Sequence, residues 1–315
     1  MPAELRSFHH SAYSASRIAA ARSELRLSVS VCLPARECAG TVGAIVEALG
    51  VLAARGTIDE LVVVDAASED GTAEVAARAG AAVWQQDELM PELGPAHGKG
   101  DAMWRALSRL RGDLVCFLDA DTEGFSPHFA CGLIGPLVCE PDVWFVKGHY
   151  RRPIEHEGSL HADGGGRVNH LTARPALALF YPELAAVRQP LAGEVAARRE
   201  LLERIPFATG YGVEVAMLID AWREVGVGRI AQIDLEEHRN RHQPLSALEP
   251  MALTVLATIA RRLEHDGRLA PADAHAVAAH GPLERPPLRA ALGLGPAGAE
   301  ARASSAAQAR ERIRA

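Results

Sequence analysis

Asp119 and Asp121 stand one residue apart at the end of an apolar run, Asp113-Leu-Val-Cys-Phe-Leu-Asp-Ala-Asp121. Leu114 to Leu118 suits a parallel strand buried on both faces. In a strand, residues two apart point the same way, so the run predicts both carboxylates on one side of its carboxyl end. Ligands of open α/β sheets bind at that edge. Two hard oxygen ligands there suit Mg2+ or Mn2+, which in turn would neutralise a diphosphate. This is the pattern expected of an enzyme that handles nucleotide sugars.

Further residues of matching chemistry fall at other predicted strand ends. Pro34-Ala-Arg-Glu37 follows the first strand and Asp65-Ala66 ends the second. A base and ribose could lie across them, with the diphosphate running towards Lys99 and the metal. Asp65 could equally cap the next helix. Lys99 stands out by composition: lysine and arginine total 33, yet only Lys99 and Lys147 are lysines. In Gly98-Lys99-Gly100, a compact ammonium suits a crowded phosphate or sugar site better than a planar guanidinium. Lys147 reads as ordinary.

Gly164-Gly165-Gly166-Arg167 has the makings of an anion cradle. Glycines let backbone N–H groups approach a phosphate, a helix N-terminus adds partial positive charge, and Arg167 can bind in bidentate fashion. A flexible turn with a solvated arginine is the alternative. The G-x-G-x-x-G spacing of a dinucleotide site is missing, and no P-loop sequence occurs. In His238-Arg-Asn-Arg-His242, histidines four apart could ligate a metal and the arginines bind phosphate. Tyr211-Gly-Val-Glu214 opens a helix, so Glu214 either faces the helix dipole or binds a sugar hydroxyl. His9, His10, His275 and His280 read as surface residues.

The elements that must position these groups alternate. Strands are predicted at Leu27–Leu33, Ile58–Asp65, Ala81–Gln85, 113–121 and Val143–His149, and helices at 39–55, 71–79, 100–111 and 126–139. Such alternation predicts an α/β fold with a doubly wound, mainly parallel sheet. Residues 1–26 read as a mobile arm with one helical stretch, and 27–150 as a nucleotide-sugar-binding domain. Helices at Val195–Leu202, Gly212–Val225 and Leu245–Leu263, with a strand at Ile230–Leu235, make 151–283 an acceptor-binding helical region. Residues 284–315, rich in Pro, Gly, Ala and Arg, predict a poorly ordered or peripheral tail.

Composition narrows the partners. A formal net charge of −7 argues against nucleic acid or an anionic membrane as the main partner, although local arginine clusters can still hold an anionic small molecule. No apolar run approaches the roughly 20 residues of a membrane span. The start of the chain lacks an apolar signal core, and the five cysteines are never spaced as CxxC, so a cytoplasmic protein with reduced thiols is expected.

In order, the segments Val31-Cys-Leu-Pro-Ala35, Gly98-Lys-Gly-Asp-Ala-Met-Trp104, Phe117-Leu-Asp-Ala-Asp121 and Val146-Lys-Gly-His-Tyr-Arg-Arg-Pro153 would fit many GT-A glycosyltransferases. Gly164-Gly-Gly-Arg-Val168, Gln189-Pro-Leu-Ala-Gly-Glu194, Pro206-Phe-Ala-Thr-Gly-Tyr-Gly-Val-Glu214 and His238-Arg-Asn-Arg241 narrow the choice. Over residues 27–260 the chain resembles the glucosyl-3-phosphoglycerate and mannosyl-3-phosphoglycerate synthases, retaining GT-A enzymes. The resemblance implies transfer of glucose or mannose from a nucleotide sugar (UDP-glucose, GDP-glucose or GDP-mannose) to the 2-hydroxyl of 3-phosphoglycerate, by a homodimer using Mg2+ or Mn2+. It places Pro34, Ala35, Glu37, Asp65, Ala66, Gly98, Lys99, Asp119, Ala120 and Tyr211 around the donor. Gly165, Gly166, Arg167, Asn169, Arg239 and Asn240 would hold the acceptor, and Leu191, Tyr211 and Glu214 the transferred sugar. Asp121 and His238, with Asp119 and His242 as further candidates, would hold the metal, and Asp121, Lys99, Glu214 and Leu191 form the expected catalytic set.

Two departures bear on these assignments. The family usually has Pro-Ala-Leu-Asn-Glu after the first strand, whereas Cys38 stands here at the place of the nucleotide-contacting glutamate. Matching His-Arg-Asn-Arg favours His238 as metal ligand, and matching the downstream proline favours His242. Two rival readings are a sugar-phosphate nucleotidyltransferase and a non-catalytic nucleotide-sugar-binding regulator. The first needs a glycine-rich basic loop after the first strand, which Pro34-Ala-Arg-Glu37 does not provide.

Overall fold

The computed structural model describes residues 4–156, 159–161, 164–239, 243–269 and 281–294. One eight-stranded sheet contains β1 (Arg6–His9), β2 (Val29–Ala35), β3 (Glu60–Asp65), β4 (Ala82–Gln85), β5 (Leu114–Phe117) and β6 (Phe145–Arg151). After a hairpin of β7 (Ile154–His156) and β8 (Ser159–His161) come β9 (Val195–Arg198) and, beyond β10 (Phe207–Ala208), β11 (Ile230–Glu237). The sheet order is β1-β11-β6-β9-β5-β2-β3-β4, parallel except for β9, which is antiparallel to both β5 and β6.

Helices cover both faces. One face carries α1 (Ala15–Leu25), α2 (Val42–Ala54), α3 (Thr72–Arg78) and, following α4 (Lys99–Leu107) in the chain, α5 (His128–Cys139). The other face carries α4, α6 (Arg174–Phe180), α7 (Arg199–Arg204), α8 (Val213–Val225) and α9 (Leu245–His265). Alternate residues of the inner strands enter the two cores. Cys32, Val62, Val115 and Phe145 face α4 and α8, whereas Val31, Val63, Cys116 and Val146 face α2 and α5. The doubly buried strands expected from the apolar runs are therefore present.

Several elements depart from expectation. Residues 6–9 are not a mobile arm: β1 extends the sheet edge beside β11, and α1 lies on α5. Tyr13 anchors this segment, donating to Glu140 Oε1 at 3.0 Å, and its ring so crowds Gly135 that a Cβ there would lie 2.3 Å from Tyr13 Cγ. Val195–Arg198, expected to be helical, is the central antiparallel strand, and only Arg199–Arg204 is helix. The start of the expected tail also belongs to the fold: β12 (Glu284–Arg285) pairs with β10, Pro286 O accepts from Trp104 Nε1 at 2.8 Å, and Leu288 of α10 (Leu288–Ala291) is buried. Residues 295–315, His275 and His280 lie outside the described residues. His9 and His10 sit at the end of β1 beside Glu236.

The pairing of α8 with α9 fixes the helix that carries Glu214 in its first turn. Arg262, almost fully buried, donates to Asp220 through Nε and Nη2, the latter at 2.6 Å, and also pairs with Glu284. Removing one partner of a buried pair strands the other charge. Asp220→Ala is expected to lower unfolding free energy by about 3–5 kcal/mol, read from urea denaturation; an unchanged midpoint would contradict this role.

Candidate active site

Strand β5 ends at Phe117, so Asp119 and Asp121 occupy the turn beyond it, where strand alternation no longer applies. The two carboxylates have different partners. Lys99 Nζ, at the start of α4, donates to Asp119 Oδ1 at 2.5 Å and to Glu214 Oε1 at 2.8 Å. Desolvation would lower the ammonium's pKa, but Asp119 and Glu214 outweigh it and hold Lys99 well above lysine's usual range. Glu214 is in the first turn of α8, so the helix terminus favours its charge as well.

Asp121 is exposed at the sheet edge, yet its carboxyl is pushed up, first by desolvation and then by Asp119, while His238 and Lys99 pull it down. The ionised form is therefore under-compensated, and a cation placed there would relieve it. His238 is buried just after β11. Its Nε2 lies 3.1 Å from Glu194 Oε1 and 3.0 Å from Thr122 Oγ1, and its ring stacks on Tyr150 with centroids 4.4 Å apart. Tyr150 donates its hydroxyl to Glu194 Oε2 at 2.6 Å. Burial opposes Glu194's charge, but His238 through charge and hydrogen bond, and then Tyr150, bring its carboxyl down to about 2. With Nε2–H donated to Glu194, the neutral form of the ring would carry its lone pair on Nδ1. That Nδ1 is buried and has no hydrogen-bond partner among the described residues. A carboxylate that fixes the tautomer of a histidine with one bare nitrogen is the usual setting of a metal-ligating imidazole. Asp121 and His238 thus fit a hard divalent cation that completes its shell with water and phosphate oxygens.

Glycines let the chain converge here. A Cβ at Gly193 would lie 2.1 Å from Asp119 Oδ2, and one at Gly100 2.0 Å from Ala208 O. Gly98 has φ 78° and packs against Gly210, which brings Lys99 beside the Gly210–Gly212 turn that carries the exposed Tyr211. Asp101, one turn into α4, is buried and pairs with Arg285 at 2.7 and 2.8 Å while accepting from His97 N at 2.9 Å. It ties the Gly98 loop to the far end of the chain.

At the ends of β2 and β3, Ala35 pairs with Asp65, and Ala66 N donates to Ala35 O at 2.9 Å. Asp65 Oδ2 accepts from Ser68 N and Gln85 Nε2, both at 3.1 Å, so it braces the loop after β3; it does not cap the next helix, which starts only at Thr72 behind Gly71. Its Oδ1 remains buried without a partner among the described residues. Pro34 lies in β2 opposite Val64, and Ala120 is buried with its carbonyl held by Thr41 Oγ1 at 2.6 Å. Glu37, at φ 53°, accepts from Glu69 N at 2.9 Å, so one carboxylate oxygen stitches the loop rather than facing a ligand. Cys38 donates its thiol to Arg36 O, and burial, then the nearby aspartates Asp121, Asp70 and Asp119, push it up to about 11 despite that bond.

The 164–170 turn opens a helical run from Arg167, with a π-helical stretch at Asn169–Ala173 leading into α6. Gly166 has φ 70°, Gly165 N donates to Arg152 O at 2.9 Å, and Arg167 Nη2 donates to Gln243 O at 2.5 Å. Asn169 bridges Arg188 O at 3.2 Å and Leu191 N at 3.4 Å. The exposed side chain of Arg239 donates to Glu237 Oε1 at 2.7 Å. Asn240 and His242 lie outside the described residues. Lys147, expected to be ordinary, is buried, donates to Ala192 O at 2.5 Å, and is brought down to about 8 by desolvation, which Glu214 opposes. It steadies the Leu191–Gly193 loop. Glu194 and Tyr150 were not singled out by sequence, because a buried acid reveals its role only through the histidine it meets.

Residues 30–157 match the sequence profile of Glycosyl transferase family 2. A glucosyl-3-phosphoglycerate synthase of Petrotoga mobilis is 39% identical over 267 residues, covering 84% of this chain and 82% of its own. The crystal structure of mannosyl-3-phosphoglycerate synthase from Rubrobacter xylanophilus is 51% identical with a TM-score of 0.79, covering 84% of this chain and 83% of its own. That of Mycobacterium tuberculosis glucosyl-3-phosphoglycerate synthase, in complex with Mn2+, uridine diphosphate and glucosyl-3-phosphoglycerate, is 34% identical with a TM-score of 0.78 and covers 91% and 99%. The mainly parallel sheet, the matched profile and these identities agree: the chain belongs to the glucosyl-3-phosphoglycerate and mannosyl-3-phosphoglycerate synthase family of GT-A glycosyltransferases.

Proposed function

We propose that this enzyme transfers glucose or mannose from a UDP- or GDP-linked donor to the 2-hydroxyl of 3-phosphoglycerate, with retention at the anomeric carbon. The bare Nδ1 of His238 beside Asp121 is the observation that carries this reading. A divalent cation, Mg2+ or Mn2+, held by Asp121 and His238 supplies charge neutralisation at the donor diphosphate. Pro34, Ala35, Asp65 and Ala66 line the nucleoside, with Asp65 Oδ1 free to accept a donor proton. Lys99 keeps one of its three N–H groups for a phosphate or sugar oxygen, since Asp119 and Glu214 take the other two. Gly166, Arg167 and Asn169 hold the acceptor's phosphate, and Leu191 lines the sugar.

Both acids nearest Lys99 are tied up in ion pairs, Glu194 is held by His238 and Tyr150, and Asp121 is given to the metal, which leaves no acid of the site among the described residues for the role of covalent nucleophile. This favours front-face transfer. The acceptor hydroxyl attacks from the leaving-group side, the glycosidic bond to the diphosphate breaks, and the hydroxyl proton passes to a donor phosphate oxygen. Positioning and charge stabilisation then supply most of the acceleration.

A matrix of UDP- and GDP-linked glucose and mannose against 3-phosphoglycerate tests the reading, with nucleoside diphosphate release and product anomer as readouts. An α-linked product from an α-linked donor is expected; an inverted anomer or pyrophosphate release would overturn it. Glu194→Gln removes the carboxylate that fixes the His238 tautomer, and about a 10- to 100-fold loss of Mn2+ affinity is expected by calorimetry. Unchanged affinity would detach Glu194 from metal binding. Exposed Leu171 and Leu179 on the α6 side and Leu253 and Leu256 on α9 support a homodimer, which sedimentation would test. Five free cysteines accord with a reducing cytoplasm.

A further inference from the structure

Beside the Gly165 turn, the ends of β6 and β11 and the start of the α6 helical run line a half-open cavity of about 340 Å3. Its walls include Arg151, Arg152, Arg174 and Arg188, with His149 and His170, and Asp234 is the one acid among its described lining residues. Four arginines, Arg152 half-buried and Arg151, Arg174 and Arg188 exposed, line one small space and make a local basic patch in a chain of net charge −7, a setting that suits an anion. Arg152 Nε is buried with no partner among the described residues. We propose that this cavity is a binding site for a small phosphorylated or pyrophosphate-like polyanion, separate from the phosphate subsite assigned above to Arg167.

The separation follows from strand geometry. Tyr150 points into the core on the α5 face, where it meets Glu194 and His238. Its neighbours His149 and Arg151 alternate with it along β6 and so face the α6 side. Arg167 is absent from the cavity wall and turns towards Gln243. The two sites adjoin: Gly165 and Tyr150 line the cavity, and a Cβ at Gly166 would lie 3.8 Å from His170 Nε2 and 3.9 Å from Arg152 Cδ. His149 carries the imprint of the same field: desolvation first, and then Arg188 and His9, bring its pKa down against the pull of Asp234.

The site is linked to the reaction centre. Arg152 lies 5.7 Å from the centroid of the Tyr150 ring, which stacks on His238, and its carbonyl accepts from Gly165 N. Arg188 O accepts from Asn169, whose other end holds Leu191 N. An anion drawing in Arg152 and Arg188 would stiffen the turn that receives the acceptor and the loop that meets the sugar.

The test is a calorimetric titration of the full chain with inorganic pyrophosphate, in chelator to exclude metal complexes. Wild type, Arg167→Ala, Arg174→Gln and Arg188→Gln are compared, each checked for an unchanged thermal unfolding midpoint. Saturable binding that survives Arg167→Ala and weakens at least tenfold in Arg174→Gln or Arg188→Gln is expected. Arg174 lies on a helix and offers a second probe should Arg188→Gln fail to fold. Binding lost in Arg167→Ala but intact in both other variants would reduce the cavity to part of the acceptor subsite. No saturable binding in wild type would also overturn the proposal. Sugar transfer is read separately by nucleoside diphosphate release, so its failure leaves this outcome unaffected.

Discussion

Asp121→Ala is expected to abolish glycosyl transfer, with kcat falling about 1000-fold or more, since groups that stabilise developing leaving-group charge are each worth two to three orders of magnitude. The fold should not suffer. The Asp121 carboxyl is pushed up by desolvation and by Asp119. An acid whose folded pKa is raised contributes stability below its unfolded pKa and loses it as pH rises through the folded value. At neutral pH its removal is therefore neutral or stabilising, and the unfolding midpoint should stay level or rise. Chelation of the wild-type enzyme should match the variant's loss, with recovery on adding Mg2+ or Mn2+. Transfer that persists in chelator would remove the metal from the account, and a collapsed midpoint in Asp121→Ala would show a structural role instead.

Arg167→Ala should raise the KM for 3-phosphoglycerate about 10- to 100-fold, the cost of losing a charge-assisted hydrogen bond to phosphate. The donor KM should move by less than about twofold, because a group that touches one substrate weakens that substrate's binding selectively. Arg167→Lys separates charge from shape: a compact ammonium restores attraction without the bidentate fork, so partial recovery is expected. Equal increases in both KM values would contradict the acceptor assignment. Arg167 donates to Gln243 O before any substrate arrives, so the bound anion must compete with a neutral carbonyl. A guanidinium prefers the anion.

Much of this site was readable because its residues are distinctive in type and lie at strand ends. Lys99, Asp119, Asp121, Gly166, Arg167 and His238 were all marked by composition or spacing. Their geometry was less readable. The parity argument for the aspartates presumed that β5 continues to residue 121, but it stops at Phe117, and Lys99 then claims Asp119. Val-Ala-Ala-Arg-Arg-Glu-Leu-Leu satisfies a helical pattern over 195–202, and periodicity cannot tell a short buried strand from a helix. The competing term was tertiary: β5 and β6 each needed a hydrogen-bonding partner, which β9 supplies. β1 was missed for a similar reason, since Arg-Ser-Phe-His has one large apolar side chain and gains its structure from the open edge of β11. Arg285 gave no local sign at all, because its worth lies in Asp101, 184 positions earlier.

The antiparallel strand has a consequence for how this polypeptide could be divided. Residues 195–198 hydrogen-bond on one side to β5 and on the other to β6, so the later sequence is stitched through the middle of the earlier one. Truncation near residue 150 would leave β5 with a naked flank and an incomplete apolar layer, a template for intermolecular pairing. A nucleotide-binding fragment ending there should precipitate rather than bind donor alone. Fragments 1–150 and 151–315 expressed together should instead reconstitute one another, as a noncovalent pair.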